Sequence, residues 1–193
     1  MKISWEQLYD EIGACNKCRL CQTRSNVVPG EGDVNADIMF IGEGPGRDED
    51  LQGRPFVGRS GELLTRMIEA IGLKRSEVYI CNIVKCRPPQ NRNPEVDEAQ
   101  ACMNYLRAQF ALVRPKIIVL LGKIACRYTL NAEISVMREH GRWYERKGVY
   151  FMPTFHPSAL LRDPTKKRDA WEDFQKIRDK LNEIRADQAA KEQ

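Results

Sequence analysis

The sequence predicts an α/β fold, a three-layer α/β/α sandwich around a mostly parallel sheet. Three observations predict it. Short, nearly continuous apolar runs recur at 37–41, 78–84 and 116–121, the pattern of strands covered on both faces. The segments between them carry apolar residues at helical spacing. Strands alternating with helices pair in parallel through crossovers. No repeat and no linker marks a boundary, so the 193 residues read as one domain, with an N-terminal cysteine segment and a C-terminal helix.

The elements follow in order. Trp5, Leu8 and Ile12 space a short helix over residues 4–14. Residues 24–35, with Pro29-Gly30-Glu31-Gly32-Asp33, read as loop. Asp37 to Ile41 is the first strand. Ser60 suits a helix cap; Leu63, Leu64, Met67, Ile68 and Ile71 make the apolar stripe, and Gly72 ends it. Val78 to Val84 is the second strand and Lys85 to Arg92 a loop. Asn93-Pro94-Glu95 has the composition of a helix start, and Val96, Ala99, Met103, Leu106, Phe110 and Val113 line its buried side. Lys116 to Leu121 is the third strand, and Lys123 to Leu130 a short helix. Arg142 to Phe151, around Lys147-Gly148, reads as a hairpin. Pro153 to Ser158 joins the last strand to a helix, and Trp171, Phe174, Ile177, Leu181 and Ile184 mark a final helix over about 165–186.

One crossover stands out. Gly42-Glu43-Gly44-Pro45-Gly46 opens it and Gly53-Arg54-Pro55-Phe56-Val57-Gly58 closes it. Ligands of open parallel sheets bind outside the carboxyl ends of strands, where such loops lie. Four acids fall within eight residues here, Glu43, Asp48, Glu49 and Asp50. A plain connector has no use for so many carboxylates beside an aromatic ring. The glycine spacing misses the dinucleotide fingerprint, and no Walker lysine pattern is present.

Composition is that of an ordinary globular protein, 42% apolar and 30% charged. The net charge of +4 permits a polyanionic partner without requiring one. The start, Met1 to Glu6, lacks the basic and apolar regions of a signal peptide. No apolar run approaches the ~20 residues of a membrane span. The expectation is a cytoplasmic protein. Seven cysteines are many for that compartment and point to metal ligation or buried thiols rather than disulfides. Cys15 and Cys18 form a CxxC, as do Cys18 and Cys21. Cys86 follows a strand and Cys102 lies on the next helix, so these two and one CxxC pair could meet as four thiolates around zinc or an iron–sulfur cluster. Cys81 and Cys126 read as small buried hydrophobes.

Asn82 is polar inside an apolar strand. An unpaired buried amide costs ~1–3 kcal/mol, so at a ligand-binding strand end it is better used to read a planar hydrogen-bonding edge. His156, at a strand-to-helix junction, caps the helix or donates to a developing anion. Ser158 and nearby amides offer a phosphate seat. Phe56 either packs on the core or offers a face for a base, worth ~1–3 kcal/mol. His140, before Gly141, reads as a turn residue. Together the parts suit a nucleobase better than a sugar or an acyl group.

Four segments carry a resemblance: Gly42-Glu43-Gly44-Pro45-Gly46-x-x-Glu49-Asp50, Gly53-Arg54-Pro55-Phe56-Val57-Gly58, Asn82-Ile83-Val84-Lys85-Cys86-Arg87-Pro88-Pro89, and His156-Pro157. From about Cys15 to Arg162 the chain closely resembles family 4 uracil-DNA glycosylases, the iron–sulfur type. The resemblance implies a four-stranded parallel sheet and a [4Fe–4S] cluster on Cys15, Cys18, Cys86 and Cys102, leaving Cys21 outside the ligand set. It implies Phe56 stacking on uracil, Asn82 reading its edge and His156 at the O2 side. Gly42 and Gly44 would line the substrate and Glu43 and Glu49 the water-activating loop, with Glu49 favoured for the water. The substrate would be uracil-containing DNA, single- or double-stranded, and the enzyme a monomer. Ser158 and Arg162 would hold phosphates, and Leu160 or Leu161 could wedge into the stack. The loop after the second strand holds no histidine, so ordinary hydrolytic turnover is expected. The rival readings are an iron–sulfur nucleic-acid-binding protein without catalysis and a zinc-binding regulator.

Overall fold

The computed structural model describes residues 3–130 and 134–191. Six strands form one sheet: β1 (Glu31–Gly32), β2 (Ile38–Gly42), β3 (Tyr79–Asn82), β4 (Ile117–Leu121), β5 (Tyr144–Arg146) and β6 (Val149–Thr154). Their order is β1-β3-β2-β4-β6-β5. The four middle strands are parallel and both edges antiparallel. The expected four strands are therefore the interior of a six-stranded sheet. The first edge was missed because β1 is two residues long and polar, and its pairing depends on distant partners: the Glu31 carboxylate accepts from Arg54 and Arg75. The expected hairpin at 142–151 is the β5–β6 pair.

Alternation along the strands assigns the two faces. Met39, Ile41, Tyr79, Ile118 and Leu120 pack with Leu8 and Ile12 of α1 (Trp5–Gly13), with Ala99, Leu106 and Val113 of α4 (Val96–Val113), and with Cys126 of α5 (Lys123–Thr129). Ile38, Phe40, Ile80, Val119 and Met152 pack on the other face. There they meet Leu64 and Ile68 of α3 (Arg59–Ala70) and Phe174, Ile177 and Leu181 of α8 (Lys167–Lys191). Burying one such side chain stabilises by ~1.5–3 kcal/mol. Short helices follow too, among them α6 (Val136–Glu139) and α7 (Pro157–Arg162).

Three local expectations shift. A helix, α2 (Arg47–Gln52), stands inside the glycine-rich crossover. α3 begins one residue before Ser60, with Gly58 at its N-cap. The helix expected from Asn93 begins at Val96, because the Glu98 carboxylate folds back to accept the Glu95 N–H at 2.8 Å and binds Arg92 through both oxygens. His140 faces Asp173, its Nδ1 3.2 Å from both carboxylate oxygens. Among the described residues no helix is long and apolar enough to cross a membrane.

Candidate active site

The carboxyl ends of the parallel strands open into a cavity of about 500 Å³, the size that takes a small organic ligand. The crossover after β2 supplies Glu43, Gly44, Glu49 and Phe56; β3 supplies Asn82; the β6–α7 junction supplies His156 and Ser158. Residues scattered over more than a hundred positions thus converge because parallel strands end at one edge.

Asn82 pairs in register with Gly42. It is 1% exposed, and among the described residues its Oδ1 has no hydrogen-bond partner. A buried acceptor left empty is costly, and this one lies against Gly42 in a residue that lines the cavity. Gly42 has no side chain for a reason of space: a Cβ there would collide with Asn82 Oδ1 and the Phe56 ring. Phe56 closes one side at 6% exposure. Its backbone is left-handed, φ 50°, a conformation that costs a bulky residue on the order of 1–3 kcal/mol. Two contacts hold it there. Arg75 donates to the Pro55 carbonyl at 2.6 Å, and Gly61 of α3 lies so close that any Cβ would strike the Phe56 carbonyl.

His156 sits 5.5 Å from Phe56, ring to ring. The Ser158 N–H donates to its Nδ1 at 3.1 Å, and the Ser158 hydroxyl is 2.8 Å from the same nitrogen. Burial, aided by Arg162, lowers its pKa to about 4. The ring is therefore neutral near pH 7, and with Nδ1 accepting, the proton resides on Nε2. The capping half of the expectation for His156 is met: the ring caps α7 through Nδ1, and among the described residues Nε2 makes no recorded hydrogen bond. Ser158 is committed to the histidine.

The two glutamates differ. Glu49 accepts from Val57, Gly58 and Gly46 backbone N–H groups at 2.9, 3.0 and 3.1 Å, so its carboxylate ties α2 to the loop that carries Phe56. Glu43 makes no such bond among the described residues, and burial pushes its pKa up. Leu160 is 1% exposed and packs with Phe155 and Ala170, so it is core and no wedge; Leu161 is half-buried. At the rim stands a residue that sequence reasoning missed: Met137 of α6, 59% exposed. Arg162 and Lys166 also reach the cavity.

On the other face of β3, Cys15, Cys18, Cys86 and Cys102 line one small cavity, which Cys21 also borders. Burial raises the pKa of Cys18 and Cys102, and that of Cys86 to about 11. Left alone these would be neutral thiols; only bound metal would hold them as thiolates. Arg24 lies 3.1 Å from Cys86 Sγ, and the Lys85 backbone N–H reaches Cys102. Donors aimed at sulfur suit a thiolate-held cluster. Among the described residues no three His, Cys, Asp or Glu groups converge as ligands of a single ion; these thiols surround a space. Cys81 and Cys126 are fully buried, as expected.

A parallel α/β sheet whose strand ends carry a base-sized cleft, walled by an aromatic ring, an unpaired amide and a neutral imidazole, defines a nucleobase-recognising protein. Comparison narrows the class. The family model described as "Uracil DNA glycosylase superfamily" matches residues 29–175. The type-4 uracil-DNA glycosylase of Sulfurisphaera tokodaii is 47% identical over 185 residues, 91% of this chain and 84% of that one. Those of Saccharolobus solfataricus and Archaeoglobus fulgidus are 45% and 43% identical, covering 90% of this chain and 84% and 92% of theirs. The chain belongs to the uracil-DNA glycosylase superfamily, in its type-4 branch.

Proposed function

We propose that this chain removes uracil from DNA by hydrolysing its N-glycosidic bond, leaving an abasic site; its relatives' name, type-4 uracil-DNA glycosylase, supports the reading. The observation that carries the pocket assignment is the empty Asn82 Oδ1, buried in the cleft wall. It is an acceptor placed for the N3–H of uracil, with the amide NH₂ left for O4. Cytosine presents the reverse pattern and would leave both sides unpaired.

The base leaves the stack to reach the cleft, at a cost of a few kcal/mol that is least in a single strand or a mismatch. Contacts from Arg162 and Lys166 to phosphates help offset it. Met137, apolar and exposed at the rim, takes the wedge role that buried Leu160 does not fill. Phe56 stacks on the flipped base. As the glycosidic bond lengthens, negative charge collects on uracil and positive charge on the sugar. The His156 Nε2–H, neutral and held by Ser158, donates to uracil O2. An imidazole that is not already charged gains the full strengthening of that bond as the anion develops. Glu43 faces the sugar and orients the water. Glu49 holds the loop, since its lone pairs already serve three amides.

Cys15, Cys18, Cys86 and Cys102 hold a [4Fe–4S] cluster. Bound there, it would cross-link the N-terminal segment to the β3–α4 loop and to α4. The enzyme acts as a monomer on single- or double-stranded DNA.

The test uses a uracil-containing oligonucleotide, with abasic sites revealed by alkali. Strand cleavage on single-stranded and U·G substrates, from a brown, iron-containing preparation, is expected. No cleavage on either substrate overturns the enzyme reading and leaves the rival binding protein; a colourless, iron-free native protein overturns the cluster.

A further inference from the structure

Between the base cleft and the cysteine cavity lies a charge that neither assignment uses. Lys85 is 1% exposed, one of the largest fully buried side chains. Its Nζ donates to the Asn82 carbonyl at 2.6 Å and to Gln109 Oε1 at 2.7 Å. Gln109, also buried, is locked in turn: its Nε2 donates to the Pro29 carbonyl and to the Tyr79 hydroxyl. These partners are neutral. No carboxylate pairs with Lys85 among the described residues. A buried ammonium costs several kcal/mol unless an opposite charge compensates it. The same lysine lines the cysteine cavity, and its own backbone N–H reaches Cys102.

We infer that Lys85 is a positioning residue that joins the two sites. Its ammonium is the buried counter-charge of the four-thiolate site, and it holds the Asn82 carbonyl, and so the base-reading amide, at the wall of the cleft. The inference rests on the cluster and uracil assignments above. Four thiolates outweigh the small net positive charge of a [4Fe–4S] core, iron and sulfide together, so the site would attract a cation, and the fold supplies one that is sequestered from solvent. The ammonium pins the end of β3 from below, while the register with Gly42 pins it from the side. A change in the charge of the cavity is then felt at Asn82 through one side chain.

The test compares the holoenzyme with Lys85→Met, which keeps the volume and removes the charge, and with Gln109→Glu, which offers Lys85 a competing carboxylate. Three quantities are measured: iron content with the visible spectrum, the midpoint potential of the cluster, and steady-state kinetics on a single-stranded uracil oligonucleotide. Removing or diverting the cation should shift the potential to a more negative value in both variants. It should lower kcat roughly tenfold or more, the scale of a charge-assisted hydrogen bond, while KM, set mainly by phosphate contacts, stays within about twofold. If Lys85→Met does not fold, Gln109→Glu decides alone. A folded, iron-containing variant with parental potential and parental kcat overturns the inference. A parent enzyme without iron or without uracil excision overturns the earlier assignments instead, so the two failures are distinguishable.

Discussion

Asn82 is the residue on which the proposed base reading rests. Asn82→Ala removes a buried acceptor of the wall that is empty among the described residues and should cost ~10²-fold or more in kcat/KM, because a site built to bond a polar edge loses most when the bond is deleted. Iron content should not change, and a variant with full activity would move the base-reading role elsewhere. His156 allows a different measurement. The folded ring binds its proton near pH 4 and an ordinary histidine near 6.5, so the unfolded chain takes up more protons in between. Stability owed to the neutral ring is complete above about pH 6.5 and is lost as pH falls towards 4. Thermal midpoints across that window should fall more steeply for the parent than for His156→Gln, and identical slopes would remove the neutral-ring assignment. At this scale the sequence was informative: a lone Asn in an apolar strand and a His before Pro announced themselves. Lys85 carried the same signal, one charge inside Asn82-Ile83-Val84-Lys85-Cys86, but its burial depends on Gln109, twenty-four positions away.

Among the elements, α2 was the hardest to read. It lies inside what composition marks as loop, and its reason to exist is tertiary: the Glu49 carboxylate gathers three backbone N–H groups from both ends of the crossover. Glu43 and Glu49 can therefore be separated. Glu49→Ala should lower the thermal midpoint, since charge-assisted bonds to buried amides are worth ~1.5–3 kcal/mol, and should lose activity with it. Glu43→Gln should leave the midpoint within about a degree and lower kcat alone. Calorimetry beside steady-state kinetics decides; a parental kcat in Glu43→Gln would return the water to another group. The helix start at 93–96 shows the same limit. Asn93-Pro94-Glu95 has the right local chemistry, yet the cap is set by Glu98 turning back under the hold of Arg92. Local signals place an element, and distant charges place its first residue.

For the molecule as a whole, the layered fold was legible from three apolar runs and the periodicity between them: three of the four parallel strands, β2, β3 and β4, stand where those runs are, and the fourth, β6, grows out of the expected hairpin. The polar edge β1 was not legible, because an edge strand is defined by its partner more than by its own residues. DNA binding belongs to this scale. If Arg162 at the cleft rim meets a phosphate, Arg162→Ala should weaken binding to uracil-containing and uracil-free strands alike and reduce the slope of log affinity against log salt by about one. A base-dependent loss would place Arg162 inside the recognition step instead.

The register pair Gly42–Asn82 has a consequence for how this scaffold can change. Each wall of the cleft hangs from a different strand end, and the sheet beneath is closed without them. A substitution at position 82 or 156 thus alters the outline of the cleft while the hydrophobic layers are left intact, whereas Phe56 also packs in the core beside Phe40 and Leu64. New base preferences are reachable by single steps that keep a folded protein throughout, which makes the cleft a modular surface for directed selection, provided each step respects the empty volume that Gly42 guards.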